Sequence, residues 1–283
     1  HFLKELMDIL GELGWDLHDV VAEGAYSQFE LDFHYTDLLQ MADRLVFLKI
    51  LLKEIAKKHK MFVTFMPKPT IGDWRSGGHI NFSLNELKNN TNIFKDGDKW
   101  SQESMHAVGG LLSHSEAITA ITCPTVNSYN GLVPTVGGFE GGVHTWAPVN
   151  ITYGHNNRSA QFRLPQNRFC IENRAADLTM NIYLALGMTI SAAIEGIENK
   201  IDPGKPSDFD LYALKDDDMK NLGIRRLPRN LLQATEALKK NKLAEKVMGK
   251  VMLNSYVNYK NDEWERYHQA VTDWEIKEYL RLY

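Results

Sequence analysis

The segment Tyr153–Asp177, YGHNNRSAQFRLPQNRFCIENRAAD, decides how the rest of the chain is read. Successive strand side chains point to opposite faces. Ser159, Gln161 and Arg163 therefore share one face of a first strand, and Cys170, Glu172 and Arg174 share one face of a second. Phe162, Leu164 and Ile171 back these polar faces. Arg158, Arg163, Arg168, Arg174 and Glu172 form a dense set of charges for an interior sheet, and charge is rarely buried unless it is paired or bound to something. The segment is either a solvated sheet face with surface ion pairs or the wall of a site for charged ligands.

Upstream, the chain alternates helical and strand patterns. A helix is expected over residues 1–13, a strand over 15–23, and an unbroken alternation follows in Gln28–Phe33, with Gln28, Glu30 and Asp32 on one face. Residues 36–60 read as a long amphipathic helix and 61–66 as a strand stopped by Pro67-Lys68-Pro69. His79–Leu84 alternates again, with His79, Asn81 and Ser83 on its polar face. Residues 88–99 read as a loop or hairpin. A helix over 101–114 and an apolar segment to Pro124 follow, then a Gly-rich loop, 131–143, that is a lid or a surface excursion. Helices are expected near 180–198, 216–222, 230–241, 243–253 and 263–282. With no internal repeat or linker, residues 1–283 read as a single α+β domain with a helical C-terminal part.

The 283 residues carry a net charge of −4 at a pI of about 6.2, which predicts no nucleic acid or anionic lipid partner. Asn181, Thr189, Ser191 and Glu195 interrupt the most apolar stretch, residues 180–197, so it reads as a buried helix and not a membrane span. Cys123 and Cys170 cannot build a disulfide framework, which suits a reducing, cytoplasmic location. On that reading the Asn-x-Ser/Thr matches at Asn81, Asn89, Asn150 and Asn157 are coincidental.

Glu23, Glu30, His79 and Glu172 lie on distant strands, on faces that would otherwise be core. Three carboxylates and one imidazole are a donor set for Mg2+ or Mn2+. Planar guanidinium groups beside them pair with carboxylate or phosphate, and metals next to arginines are the parts of a phosphoryl-transfer site. Taken singly, a Glu or His on a strand is more often a solvated or hydrogen-bonded structural residue than a ligand. No HEXXH, CxxC or Walker phosphate loop is present.

Seven segments, in order from end to end, carry a resemblance: EGAYSQFELDF, KEIAKKHKMFVTFMPKP, SGGHINFSL, TCPTVNSY, TWAPVNITYGHNNRSAQFRLP, ENRAADLTMNIYLALG and DWEIKEYLRLY. With them the chain closely resembles the glutamine synthetase catalytic domain, nearest the branch that includes gamma-glutamylmethylamide synthetase. The resemblance implies the glutamine synthetase/guanido kinase-like fold, a mainly antiparallel curved sheet that forms a funnel-shaped active site backed by helices. It implies ATP-dependent joining of glutamate or a related acid to ammonia or a small amine through gamma-glutamyl phosphate, with ATP and two or more Mg2+ or Mn2+ per site. By motif, Glu23 and Glu30 match ligands of one cation, and His79 and Glu172 ligands of the second. Asn81, Ser83 and Arg163 fall on the nucleotide side. Arg158 and Arg174 match the arginines that hold glutamate and the transferring phosphoryl group, and Glu140 is the acid available for the flap. The family also implies a dodecamer-like ring with sites between subunits.

The sequence departs from the family pattern in three places. Asn130-Gly131 replaces Lys-Arg and removes an arginine expected on the substrate carboxylate, Trp74-Arg75 replaces Asn-Gly, and Cys170 replaces a phosphate arginine. Arg75 and Arg168 are the candidate replacements. The family's N-terminal β-grasp domain and first catalytic strand have no counterpart in these residues, so this chain alone is not expected to be a competent enzyme. A catalytically inactive assembly or regulatory protein of the same family is the alternative.

Overall fold

The computed structural model describes residues 1–15, 17–133, 135–136, 143–144 and 146–283. The chain opens with helix α1 (Phe2–Glu12), strands β1 (Leu17–Ala22) and β2 (Phe29–Phe33) and helix α2 (Leu38–Lys58). Strand β3 (Ile80–Phe82), the hairpin β4 (Lys95–Asp96) and β5 (Lys99–Trp100), and helices α3 (Gln102–Ser113), α4 (Ser115–Thr122) and α5 (Val126–Asn130) follow. Next come β6 (Thr135–Val136), β7 (Val143–His144), β8 (Asn150–His155), β9 (Ala160–Leu164), β10 (Ile171–Asn173) and helix α6 (Ile182–Glu198). The chain ends with α7 (Asp216–Leu222), β11 (Arg225–Arg226), α8 (Leu231–Lys240), α9 (Lys242–His268) and α10 (Asp273–Tyr279).

The main sheet runs β11-β8-β9-β10-β3, and β1-β2 form a separate antiparallel pair. Three neighbour pairings in the main sheet are antiparallel, whereas β8 and β9 are parallel. Residues 156–159 alone join that parallel pair, where roughly a dozen residues is usual. Asn156 turns the chain in the left-handed region (φ 52°), a conformation that Asn tolerates. The Asn157 amide then pins the turn by donating to the carbonyls of Ser207 (2.5 Å) and Phe209 (2.9 Å).

Apolar strand faces set the core. Phe82, Phe162 and Ile171 from the strands share one buried cluster with Ile118 of α4 and Met188 of α6. Helices α3 and α6 approach backbone to backbone, since a Cβ on Gly110 would lie 2.0 Å from the Ala192 carbonyl. A second core, Leu6, Leu10, Leu48, Leu52 and Ile55, joins α1 to α2 and takes the inner faces of β1 and β2.

Residues 61–66 keep period-two burial, with Val63 and Phe65 on the second core and Phe62 87% exposed, but they form no ladder. Alternation alone does not supply a strand partner. Near the C-terminus, α9 consists of two helical runs that meet at Gly249, whose backbone is not helical (φ 71°, ψ 153°). The second run continues without interruption through the break expected around residues 254–262, with Leu253, Val257 and Lys260 on its buried face.

Candidate active site

Sheet register brings the polar face together. Glu172 on β10 lies opposite Asn81 on β3 and opposite Arg163 on β9, so the three form one row. The buried Glu172 carboxylate accepts hydrogen bonds from Arg163 Nη1 (2.9 Å) on one oxygen and Arg174 Nη1 (2.8 Å) on the other. Burial pulls its pKa up, but Arg174 and Arg163 outweigh that and hold it below the usual carboxylate range.

His79 Nδ1 lies 3.4 Å from the same carboxylate. Burial, then the charge of Arg174, push the imidazole down to about 4 against the pull of Glu172. Its side chain keeps 31% exposure, and this contact with water tempers the depression without charging the ring at pH 7. A neutral imidazole is the metal-binding form. The glycines of SGG before it have a steric role: a Cβ on Gly77 would lie 3.0 Å from His79 Nε2, and one on Gly78 2.9 Å from the Asp177 backbone.

Glu23, just past β1, and Glu30, on β2, hydrogen-bond to each other. That bond, burial and the charge of Asp32 push Glu30 up to about 8. The bond to Glu30, helped by the Gly24 N–H (3.1 Å), lowers Glu23. A proton between two carboxylates takes the place that a cation would fill, so the pair fits a divalent ion. Arg158 is close enough for its charge to reach Glu23. The predicted ligands thus gather as two pairs, and no three acidic, imidazole or thiol groups among the described residues form a ready cage.

The arginines are held by the chain itself. Arg163 binds Asn156 through both Nε and Nη2. Arg174 donates to the carbonyls of Arg158 (3.0 Å) and Trp146 (3.4 Å). The Arg158 side chain is exposed beside them, as is Ser83 beyond Asn81. Arg168 folds back to Asn81 (3.3 Å) and Cys170 (3.4 Å), so a guanidinium does stand where Cys170 replaces one. Arg75 does not fill the vacancy at Gly131 with a free charge. Its buried guanidinium donates to the Ala175 carbonyl (3.0 Å) and pairs with Asp177 (3.4 Å). Glu140 lies outside the described residues. Asn156, which fixes Arg163, escaped the sequence reading; its signal is the HNN turn between two polar-faced strands.

The glutamine synthetase catalytic-domain family matches residues 1–279. The chain belongs to this family. It is 39% identical to the glutamine synthetase of Methanosarcina mazei over 279 residues, covering 96% of the chain and 60% of that protein. It is 37% identical to the glutamate–methylamine ligase of Methyloversatilis universalis, covering 100% of the chain and 63% of the ligase. A GmaS–ADP complex superposes with a TM-score of 0.89 at 33% identity, over 99% of this chain and 63% of that one. The chain thus spans about 60% of the length of the curated relatives it matches. This member of the family has the α+β architecture expected from its sequence, and no helix among its described residues is long and apolar enough to cross a membrane.

Proposed function

We propose that residues 1–283 are the catalytic domain of an ATP-dependent carboxylate–amine ligase that joins glutamate or a related acid to ammonia or a small amine in the cytoplasm, as part of a homo-oligomeric ring. The observation that carries this reading is the Glu172 carboxylate between Arg163 and Arg174, with His79 at its edge. Glu23 and Glu30 would hold one divalent cation, and His79 and Glu172 a second. Their oxygen-rich donor set with one imidazole suits Mg2+ or Mn2+. Bound cations would neutralise phosphate charge during transfer.

The chain's own residues account for the rest. Arg163 and Arg168, with Asn81 and Ser83, face the nucleotide phosphates, where planar guanidinium groups bind in bidentate fashion. Arg158 and Arg174 orient the acid and the transferring phosphoryl group and stabilise charge as a carboxylate oxygen attacks the terminal phosphate. The product of that step, gamma-glutamyl phosphate, is open to an amine. The loop bearing Glu140 would close over it and exclude water.

Turnover by the full-length protein with Mg2+ or Mn2+, glutamate and a panel of amines tests this; folded protein that turns over nucleotide in no combination refutes it. One observation favours a non-catalytic reading: the Arg75 charge is neutralised by Asp177, and Gly131 offers none. Calorimetry separates the two, since a purely structural relative has no reason to bind ATP or metal.

A further inference from the structure

Residues 73–78 deliver His79 to the site, and one side chain pins them. Arg75 is 5% exposed at its side chain. Its Nη1 and Nη2 reach Ala175 and Asp177, just beyond β10, which carries Glu172, and beyond Arg174 at its exit. Its backbone carbonyl accepts from Gln28 Nε2 (3.0 Å), in the turn that follows Glu23. One residue thereby ties the Glu23 turn, the His79 loop and the exit of β10, and its charge is felt at His79.

The stem of Arg75 occupies space that residue 131 would otherwise claim. A Cβ on Gly131 would fall 2.7 Å from Arg75 Cβ and 3.0 Å from Cδ. Arg75 Cβ is fixed to the backbone and cannot swing aside, so any side chain at 75, arginine included, requires a glycine at 131. Next to it the Trp74 ring lies on Gly24, where a Cβ would come within 2.5 Å of the indole. The loop is therefore seated against two bare backbone positions.

We propose that Arg75 is a positioning residue of this site: a buried clamp, housed in the space left by Gly131, that sets His79 against Glu172. The proposal rests on the functional reading above only for what His79 then binds. Outer partners that orient a metal ligand change affinity by roughly tenfold or more when removed, whereas a clamp that only stabilises the fold leaves affinity alone.

The test uses full-length protein carrying Arg75→Ala, Arg75→Lys, Arg75→Gly, Gly131→Ala and the Arg75→Gly/Gly131→Ala double substitution. Melting temperature and Mn2+ affinity by titration calorimetry are measured for each. Gly131→Ala is expected to lower melting strongly in the native background and little in Arg75→Gly, because the Cβ it would clash with is gone. Arg75→Ala is expected to weaken Mn2+ binding roughly tenfold, with Arg75→Lys recovering part of the loss. Additive melting losses, or native Mn2+ affinity in Arg75→Ala, overturn the proposal. If Arg75→Ala does not fold, native Mn2+ affinity in Arg75→Lys overturns it equally. A native protein that binds no Mn2+ defeats the functional reading instead, and the melting cycle still decides the clamp.

Discussion

Replacing Glu172 by Gln removes the one negative charge between two guanidinium groups. Glu172 is 3% exposed, and the side chains of Arg163 and Arg174 are 15% and 8% exposed. The lost contacts are charge-assisted hydrogen bonds at 2.9 and 2.8 Å, each worth about 1.5–3 kcal/mol net. Gln keeps one acceptor, so part of one bond survives. The two arginines, however, then face each other with nothing to neutralise them. Removing one partner of a buried pair costs about 3–5 kcal/mol. The lower end applies here, because Arg163 retains some solvent and Asn156 as a second partner. A loss of about 3 kcal/mol should lower the melting point by roughly 6–12 °C for a chain of this size.

Calorimetry without divalent cations measures that loss directly, and a urea titration followed by tryptophan fluorescence gives an independent midpoint. The companion substitution Arg163→Met removes a positive charge from the same cluster while Arg174 still pairs Glu172, so it should cost less than Glu172→Gln. A melting point for Glu172→Gln within 2 °C of native, taking about 1 kcal/mol as the smallest meaningful loss, would refute the view that this carboxylate neutralises the wall. So would Arg163→Met proving the more harmful of the two.

Asn156→Ala should cost about 1–2 kcal/mol, because Ala is strained at the left-handed backbone there and Arg163 loses its second anchor; chemical denaturation reads this, and Asn156→Gly should recover the backbone share only. Cys123 is fully buried and its thiol is pushed up to about 12 by burial, so of these two thiols only Cys170 should be labelled by a thiol reagent at pH 8, as peptide mapping reads, and fast labelling of Cys123 would contradict the packing. Glu5 is lowered first by its bond to Lys58 and then by His59. Its contribution is therefore present above the ordinary carboxylate value of 4.5 and lost as pH falls through the lower folded value. Glu5→Gln should accordingly flatten the melting curve's acid limb below pH 4.5, and an unchanged limb would exclude the α1–α2 tether from acid unfolding.

The strand faces were legible because alternation and register are both local in cause. Once Arg163 and Glu172 sit on polar faces of strands that pair, their meeting needs no further information, and the same holds for Glu30 on β2 and Glu23 just past β1. The failures involve partners that sequence does not name. Residues 61–66 have the pattern of a strand and the burial to match, but pairing depends on what lies alongside. The α9 face runs through Val257 and Lys260 because helix α5 and its neighbours cover it; Glu263 accepts from the Val126 N–H across that contact. The destination of the Arg75 guanidinium was illegible for the same reason. Its sequence marks it as a spare charge, and only the chain path past Ala175 and Asp177 shows where that charge goes.

The charges of this sheet face are mutually satisfied without a ligand. Glu172 lies between Arg163 and Arg174, and Arg168 leans on Asn81, while on the separate β1-β2 pair the Glu23 carboxyl pushes Glu30 up. Such pairing is what lets so many ionisable groups occupy one buried wall. It also dictates how binding must proceed. A cation that takes the Glu172 carboxylate displaces a guanidinium from it, and that guanidinium must find another anion or remain buried and unpaired. A polyphosphate arriving with the cation supplies that anion, so the two ligands should bind with positive coupling, each making the other's exchange favourable. Calorimetry of Mn2+ with and without a nonhydrolysable nucleotide measures the coupling. The exchange argument expects affinity to rise at least fivefold, and equal affinities in both titrations would mean that the arginines never leave Glu172.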